Sequence, residues 1–167
     1  MNDYAVRVAT PSDIAGVSAL LQASYPNLME SAYDQALLAP ALKLMTRANP
    51  VLLASGTFYI AVSRDGLVVG CGGWTLERPD GKAVEAMRGH IRHFGTHPDW
   101  ARQGIGRAIY RLCEADARSE GIISFECFSA FNAESFYSNL GFESIRRIDV
   151  ELGPNVLLPG VLMRRQI

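Results

Sequence analysis

The sequence predicts a mixed α/β (α+β) domain built around one sheet, and three observations lead there. Stretches of alternating apolar residues are interleaved with stretches of helical spacing, in the order β-α-α-β-β-β-α-β-α-β-β. Two β-rich runs flank Arg64-Asp65-Gly66, which is a hairpin signature. The chain has 167 residues, 49% hydrophobic and 20% charged, enough to bury a full core without staples.

The elements follow in order. "YAVRVAT" alternates as a first strand. "TPSDIAGVSALLQASY" reads as a helix with Ser12 or Asp13 as cap and Ile14, Val17, Leu20 and Leu21 on one face. "SAYDQALLAPALKLM" is a second helical stretch that Pro40 should kink or split. "FYIAVSRDGLVVGCGGWTL" gives the hairpin, "ERPDGKAVE" a turn-rich connection, and "HIRHFGTHP" the next strand, stopped by Pro98. From Ile105, the residues Ala108, Ile109, Leu112 and Cys113 mark a helix ending near Gly121. "IISFECF" is a compact strand and "NAESFYSNLGF" a short helix closed by Gly141; "ESIRRIDVEL" and "VLMRRQI" are late strands. No repeat, low-complexity tract or linker interrupts the chain, which reads as one domain over residues 1–167.

Bulk properties narrow the function classes. A net charge of −1 argues against nucleic acid or an anionic membrane as main partner. No apolar run reaches the ~18 residues of a spanning helix. "MNDYAVRVAT" lacks the pattern of a secretory leader. Three widely spaced cysteines, Cys71, Cys113 and Cys127, fit a reducing compartment. The expected location is cytoplasmic.

The most informative stretch is "HPDWARQGIGRAIY", His97 to Tyr110. Arg102, Gln103, Gly104 and Gly106 stand where a helix has to begin, a place usually held by Ser, Thr, Asp or Asn. Glycines there let a ligand approach the backbone closely. A helix N-terminus offers unpaired N–H groups and partial positive charge, a phosphate site, with Arg102 and Arg107 adding charge. A P-loop is a poor match because Arg107-Ala108 replace its Lys-Ser/Thr. A dinucleotide fingerprint fails at Ile109, where a small residue belongs, and no acidic residue convincingly ends a following strand. A plain turn shaped by its glycines is the remaining alternative.

The second stretch is "FNAESFYSNLGFE", which puts Tyr137 on a short helix opening near Asn132 and stopping at Gly141. Taken alone, Phe136, Tyr137 and Leu140 read as core residues. Together the two stretches resemble the GNAT superfamily of acyl-CoA-dependent N-acetyltransferases, most closely over Ile91 to Phe142. The resemblance implies a mostly antiparallel central sheet flanked by helices. It also implies an acceptor-side half at about 1–88 and a CoA-binding half at about 89–167. The turn resembles the family's Arg/Gln-x-x-Gly-x-Gly/Ala signature. With Gly104 and Gly106 as its glycines the first position falls on Ala101; shifted two residues, Gln103, Gly106 and Ala108 satisfy it.

What the resemblance implies can be stated by residue. Acetyl-CoA is the co-substrate and no metal takes part. Arg102, Gln103, Gly104, Ile105, Gly106 and Arg107 form the pyrophosphate turn. Phe94 and Thr96 lie on the strand whose free backbone groups pair with the pantetheine, as in strand addition. Asn132 matches the asparagine beside that arm, or simply caps the short helix. Tyr137 matches the tyrosine that protonates the departing thiolate, as a phenol of pKa ~10 can without being ionised at neutral pH.

The implied reaction is direct attack of a neutral primary amine on the thioester through a tetrahedral oxyanion, which backbone N–H groups at Phe94 to Thr96 would stabilise. Glu126 and His93 are the candidates to take the amine's proton; the plainer readings are an ion-paired carboxylate and a half-buried strand residue. A metal site at "HIRHFGTH" is disfavoured, because a strand puts His90 and His93 on opposite faces and Gly95 with Pro98 disfavours a helix. Cys127 or Cys71 as a nucleophile is a further reading, but "VVGCGGW" resembles no nucleophile elbow, so Cys71 reads as a small buried hydrophobe, as does Cys113 on the apolar face of its helix. Tyr25, Glu30, Tyr33 and Asp34, with strands near Trp74, mark the acceptor region, either a site for a cationic amine or a solvated loop. The acceptor is expected to be a small-molecule amine, with peptide N-termini and lysine side chains open. The alternative function is a non-catalytic acyl-CoA-binding sensor or interaction module. The late strands could pair two copies into a homodimer, by analogy.

Overall fold

A computed structural model describes residues 3–167. Strand β1 (Tyr4–Val8) leads through a short 3-10 turn (Pro11–Asp13) into helix α1 (Ile14–Met29). Val17, Leu20 and Leu21 fall on its buried face, whereas Ile14 is exposed. The Asp13 carboxylate accepts from the Thr10 amide at 2.8 Å and pairs with Arg7 at 2.8 Å, so it ties the entry to the helix together.

Two helices run through prolines. Helix α1 continues through Pro26 to Met29, and α2 (Gln35–Met45) runs through Pro40 without splitting. A proline leaves the carbonyl four residues earlier without its helical donor. Those carbonyls belong to Gln22 and Ala36, both exposed residues where water can replace the lost donor. A further short helix, α3 (Pro50–Leu53), is capped by the Asn49 side chain accepting from the Val51 amide at 3.0 Å.

Strands β2 (Phe58–Ser63) and β3 (Val68–Thr75) form the expected hairpin. Strand β4 (Arg88–Thr96) leads to α4 (Ile105–Ser119), β5 (Ser124–Ser129), α5 (Glu134–Asn139), β6 (Glu143–Gly153) and β7 (Val156–Gln166). The seven strands make one sheet in the order β1-β2-β3-β4-β5-β7-β6. Every neighbouring pair is antiparallel except β4 with β5. Helix α4 covers one face, where Ile105, Ile109 and Cys113 join Val69, Phe125 and Met163. Helices α1 and α2 cover the other, over Phe58, Ile60 and Cys71.

Two irregularities of β4 position the site. Its parallel pairing with β5 covers only Arg88–Ser124, Gly89–Phe125 and His90–Glu126. Beyond that point β4 continues along β3 and β5 along β7, so the sheet opens between them. The second is a bulge. Gly73 pairs with Arg92 and Cys71 with Gly95, so His93 and Phe94 of β4 oppose Gly72 alone. His93 takes up the extra length at φ 48°.

Candidate active site

The opening between β4 and β5 continues into a cavity of about 600 Å³. One end is lined by Gly106 of α4, the β4 segment Ile91 to Thr96, and Asn132, Ala133, Phe136 and Tyr137. At the other end stand Tyr25 and Met29 of α1, Leu44 and Met45 of α2, and Val150 and Leu152 of β6.

The glycine turn sits at the first end. The His97 Nδ1 accepts from the Asp99 amide at 3.2 Å and starts a 3-10 turn over Pro98–Trp100. The chain then passes through Arg102 at φ 62° and Gly104 at φ 78°, the left-handed region that favours glycine. Gly104 is the N-cap of α4, and the first bond of the helix runs from the Ala108 amide to its carbonyl at 2.9 Å. The amides of Ile105, Gly106 and Arg107 therefore precede the helical ladder. Arg102, Gln103, Gly104 and Arg107 are exposed around this end. The Ile105 side chain is 1% exposed and belongs to the core, so only its backbone can face a ligand. A Cβ at Gly106 would stand 2.9 Å from the Phe136 ring, so glycine keeps this wall of the cavity open.

Tyr137 is buried in an aromatic cluster with Phe94, Phe136 and Phe142, and it also lines the cavity. Burial, with the Cys127 thiol beside it, holds its phenol well above the ordinary pKa, so the proton stays on. The core and cavity readings of Tyr137 are thus both true. Asn132 lies inside the 3-10 turn Phe131–Ala133, while the N-cap of α5 is Ala133. Its Oδ1 is buried without a hydrogen-bond partner and the residue lines the cavity, so capping is not its role. Phe94 and Thr96 line the same opening, and the Phe94 carbonyl accepts from the Tyr25 hydroxyl at 3.0 Å.

The two base candidates separate. Glu126 is 1% exposed, is not part of the cavity lining, and receives the Arg164 Nε at 2.9 Å with Arg78 and Arg88 at 3.6 Å. Its carboxylate pairs with partly exposed arginines and stands on the strand face opposite Cys127, which corrects its expected catalytic place. His93 does line the cavity. Burial, reinforced by Arg92, lowers its pKa to about 4, so the imidazole is neutral near pH 7.

The acceptor end also departs from expectation. Tyr25 lines it, but Glu30 and Asp34 are exposed away from the cavity. The Tyr33 hydroxyl donates to the Pro159 carbonyl at 2.6 Å and accepts from the Phe131 amide at 2.9 Å, so it braces the fold. Trp74 lies on the α4 face, its Nε1 donating to Asp116 at 3.0 Å. The wall is therefore apolar rather than acidic, with Arg92 as its fixed charge and Glu151 as its one carboxylate. Arg92 is a charged lining residue that sequence reasoning passed over. The signal for Arg92 was a charge set between Ile91 and the apolar part of a central strand. The Cys127 thiol is pushed up to about 12 by burial, which keeps it protonated beside Tyr137. Among the described residues no group of three or more His, Cys, Asp or Glu could hold a metal ion, and no helix is long and apolar enough to cross a membrane.

Comparison with known proteins agrees with this geometry. The family described as "Acetyltransferase (GNAT) family" matches residues 17–142. Solved structures with the same fold include a GCN5-related N-acetyltransferase from Rhodopseudomonas palustris. It is 20% identical with a TM-score of 0.79, over 100% of this chain and 98% of that one. PaiA N-acetyltransferase from Thermoplasma acidophilum, solved in complex with coenzyme A, is 13% identical with a TM-score of 0.72 over 100% of both chains. The ribosomal-protein-S18-alanine N-acetyltransferase from Escherichia coli is 14% identical with a TM-score of 0.65, over 98% of this chain and 94% of that one. No curated protein matches the chain in sequence. The seven-stranded sheet opened between β4 and β5, with the glycine turn at one end of the opening, belongs to a member of the GNAT acetyltransferase family.

Proposed function

We propose that the protein is an acetyl-CoA-dependent N-acetyltransferase that acylates a primary amine of a small molecule. The observation that carries this reading is the fork of β4 and β5, with the protonated Tyr137 phenol on its wall and the glycine-cleared start of α4 at its end.

The residues present fit coenzyme A. The three free amides at the start of α4 suit a pyrophosphate, and Arg102 and Arg107 stand exposed beside them. The buried Oδ1 of Asn132 lacks a donor, which an amide N–H of a pantetheine arm would supply. When bound, acetyl-CoA supplies the activated acetyl thioester. Tyr137 holds a proton in a dry wall of the fork, where a leaving thiolate needs one. Phe94 to Thr96 offer backbone groups along the opening, although the Phe94 carbonyl is already engaged by Tyr25. Neutral His93 at the cavity wall can accept a hydrogen bond from the incoming amine, but with a pKa of about 4 it is too weak a base to hold the ammonium's proton. The cavity of about 600 Å³ has to hold the acyl arm as well as the acceptor, which favours a small amine over a protein chain.

The test is Tyr137→Phe. Turnover should fall on the order of a hundredfold while acetyl-CoA affinity changes little. Undiminished turnover would contradict the role of Tyr137, and tight acetyl-CoA binding with no turnover on any amine would mark a binding module instead.

A further inference from the structure

Seven of the fourteen arginines pair with an acid: Arg7 with Asp13, Arg64 with Asp3, Arg78 with Asp80, Arg88 with Glu85, Arg118 with Glu114, Arg164 with Glu126 and Arg165 with Glu114. The other arginines are exposed, apart from Arg92. Arg92 has no such partner: among the described residues no carboxylate lies within salt-bridge distance of it, although it is half-buried. One guanidinium N–H donates to the Thr75 Oγ1 at 2.9 Å. The Thr75 hydroxyl spends its own proton on the Glu77 carbonyl at 2.8 Å, so its oxygen can only accept from Arg92. Four N–H donors of the fork remain, on a side chain that lines the cavity.

The alternation of β4 fixes which end of the cavity Arg92 serves. Ile91 packs into the α4 cluster, so Arg92 points to the opposite face, the one covered by α1 and α2. Leu28, Met29, Leu44, Met45 and Phe128 line that end. A cation held half-buried among such residues is costly unless an anion meets it. Burial works against its charge and lowers the guanidinium pKa, only partly offset by the Glu77 carboxylate beyond salt-bridge distance.

We propose that Arg92 is the anchor for a carboxylate on the acceptor, so that the acceptor class is an amino carboxylate with an apolar body, such as a free aliphatic or aromatic amino acid. This rests on the acetyltransfer reading above. A planar guanidinium with adjacent free donors matches a carboxylate by paired hydrogen bonds. A single positive charge without a salt-bridge partner matches a carboxylate and leaves a doubly charged phosphate in excess. Thr75 is a positioning residue that holds the fork toward the cavity.

The experiment measures acetylation of aliphatic and aromatic amino acids, each beside its carboxamide and its decarboxylated amine. Binding of the same compounds to the protein saturated with coenzyme A is measured by calorimetry. Acids should be favoured over their amides by tenfold or more in kcat/KM and in affinity. Arg92→Gln should erase that preference, and Arg92→Lys should restore part of it, with coenzyme A affinity unchanged in both. Thr75→Val should raise KM for the acids severalfold and leave the amides unaffected. Amides or simple amines serving as well as the acids would overturn the inference, as would coenzyme A binding with no acid bound or acetylated, or a phosphorylated amine preferred to every acid. Failure of acetyl-CoA itself to bind is the separate outcome that removes the acetyltransfer reading and this inference with it.

Discussion

The Tyr25 hydroxyl donates to the backbone carbonyl of Phe94 at 3.0 Å, joining the last turns of α1 to the bulged part of β4. On the same strand the Cys71 thiol donates to the His93 carbonyl at 3.2 Å. The irregular backbone at the mouth of the fork is therefore held from a helix and from the neighbouring strand. Removing one hold should loosen it. Tyr25→Phe is expected to cost about 1 kcal/mol of stability, the net worth of one hydrogen bond, in chemical denaturation. An unchanged midpoint would show that water replaces the phenol without loss.

Phe94 should be equally sensitive from its other side. A Cβ at Gly72 would lie 2.6 Å from the Phe94 ring, which packs in turn against Phe136 and Tyr137. Gly72→Ala is expected to destabilise the fold by about 1–3 kcal/mol through overpacking and to lower turnover by displacing the Tyr137 wall. Wild-type turnover in a stable Gly72→Ala protein would mean that Phe94 does not set the position of Tyr137.

Glu126 separates stability from chemistry. Glu126→Gln leaves Arg164, Arg78 and Arg88 without their shared carboxylate, and the loss should be about 2–4 kcal/mol. Because Glu126 is absent from the cavity lining, turnover per folded molecule should stay within a few-fold of wild type, measured at a temperature where the variant is folded. A loss of a hundredfold or more in kcat, at wild-type stability, would return Glu126 to the chemistry.

Acid should weaken the fold partly through His93. Its folded pKa is about 4, whereas an unfolded histidine takes up its proton near 6.5. The unfolded state thus binds more protons between those values, and stability falls as pH drops through that window. Buried His90 is lowered too and acts in the same direction. His93→Asn, which tolerates the left-handed backbone, should remove up to about 3 kcal/mol of that acid-side loss. Denaturation curves between about pH 4 and 7 measure it, and an unchanged pH slope would show that His93 is not held neutral.

Much of this was legible in the chain itself. Alternation and the Arg64-Asp65-Gly66 turn locate the hairpin, and glycine punctuation locates the ends of α4 and α5. The glycines on either side of Ile105 point to a helix start cleared for a ligand, and Tyr137 does lie at the cavity. The continuation of α1 past Pro26 was not legible, because it depends on Gln22 being exposed. The bulge at His93 was not legible, because histidine's enrichment at positive φ does not by itself locate a bulge in a strand. Glu126 and Arg92 look alike in the sequence, each a charge on a central strand. Only the fold brings three arginines to the first and no carboxylate to the second.

The central claim is that the fork between β4 and β5 and the start of α4 receive acetyl-CoA, and a calorimetric titration tests it most directly. Acetyl-CoA should bind at micromolar concentrations, with ATP and NAD as controls that do not. Binding of ATP or NAD in place of acetyl-CoA, or of none of the three, would contradict the account.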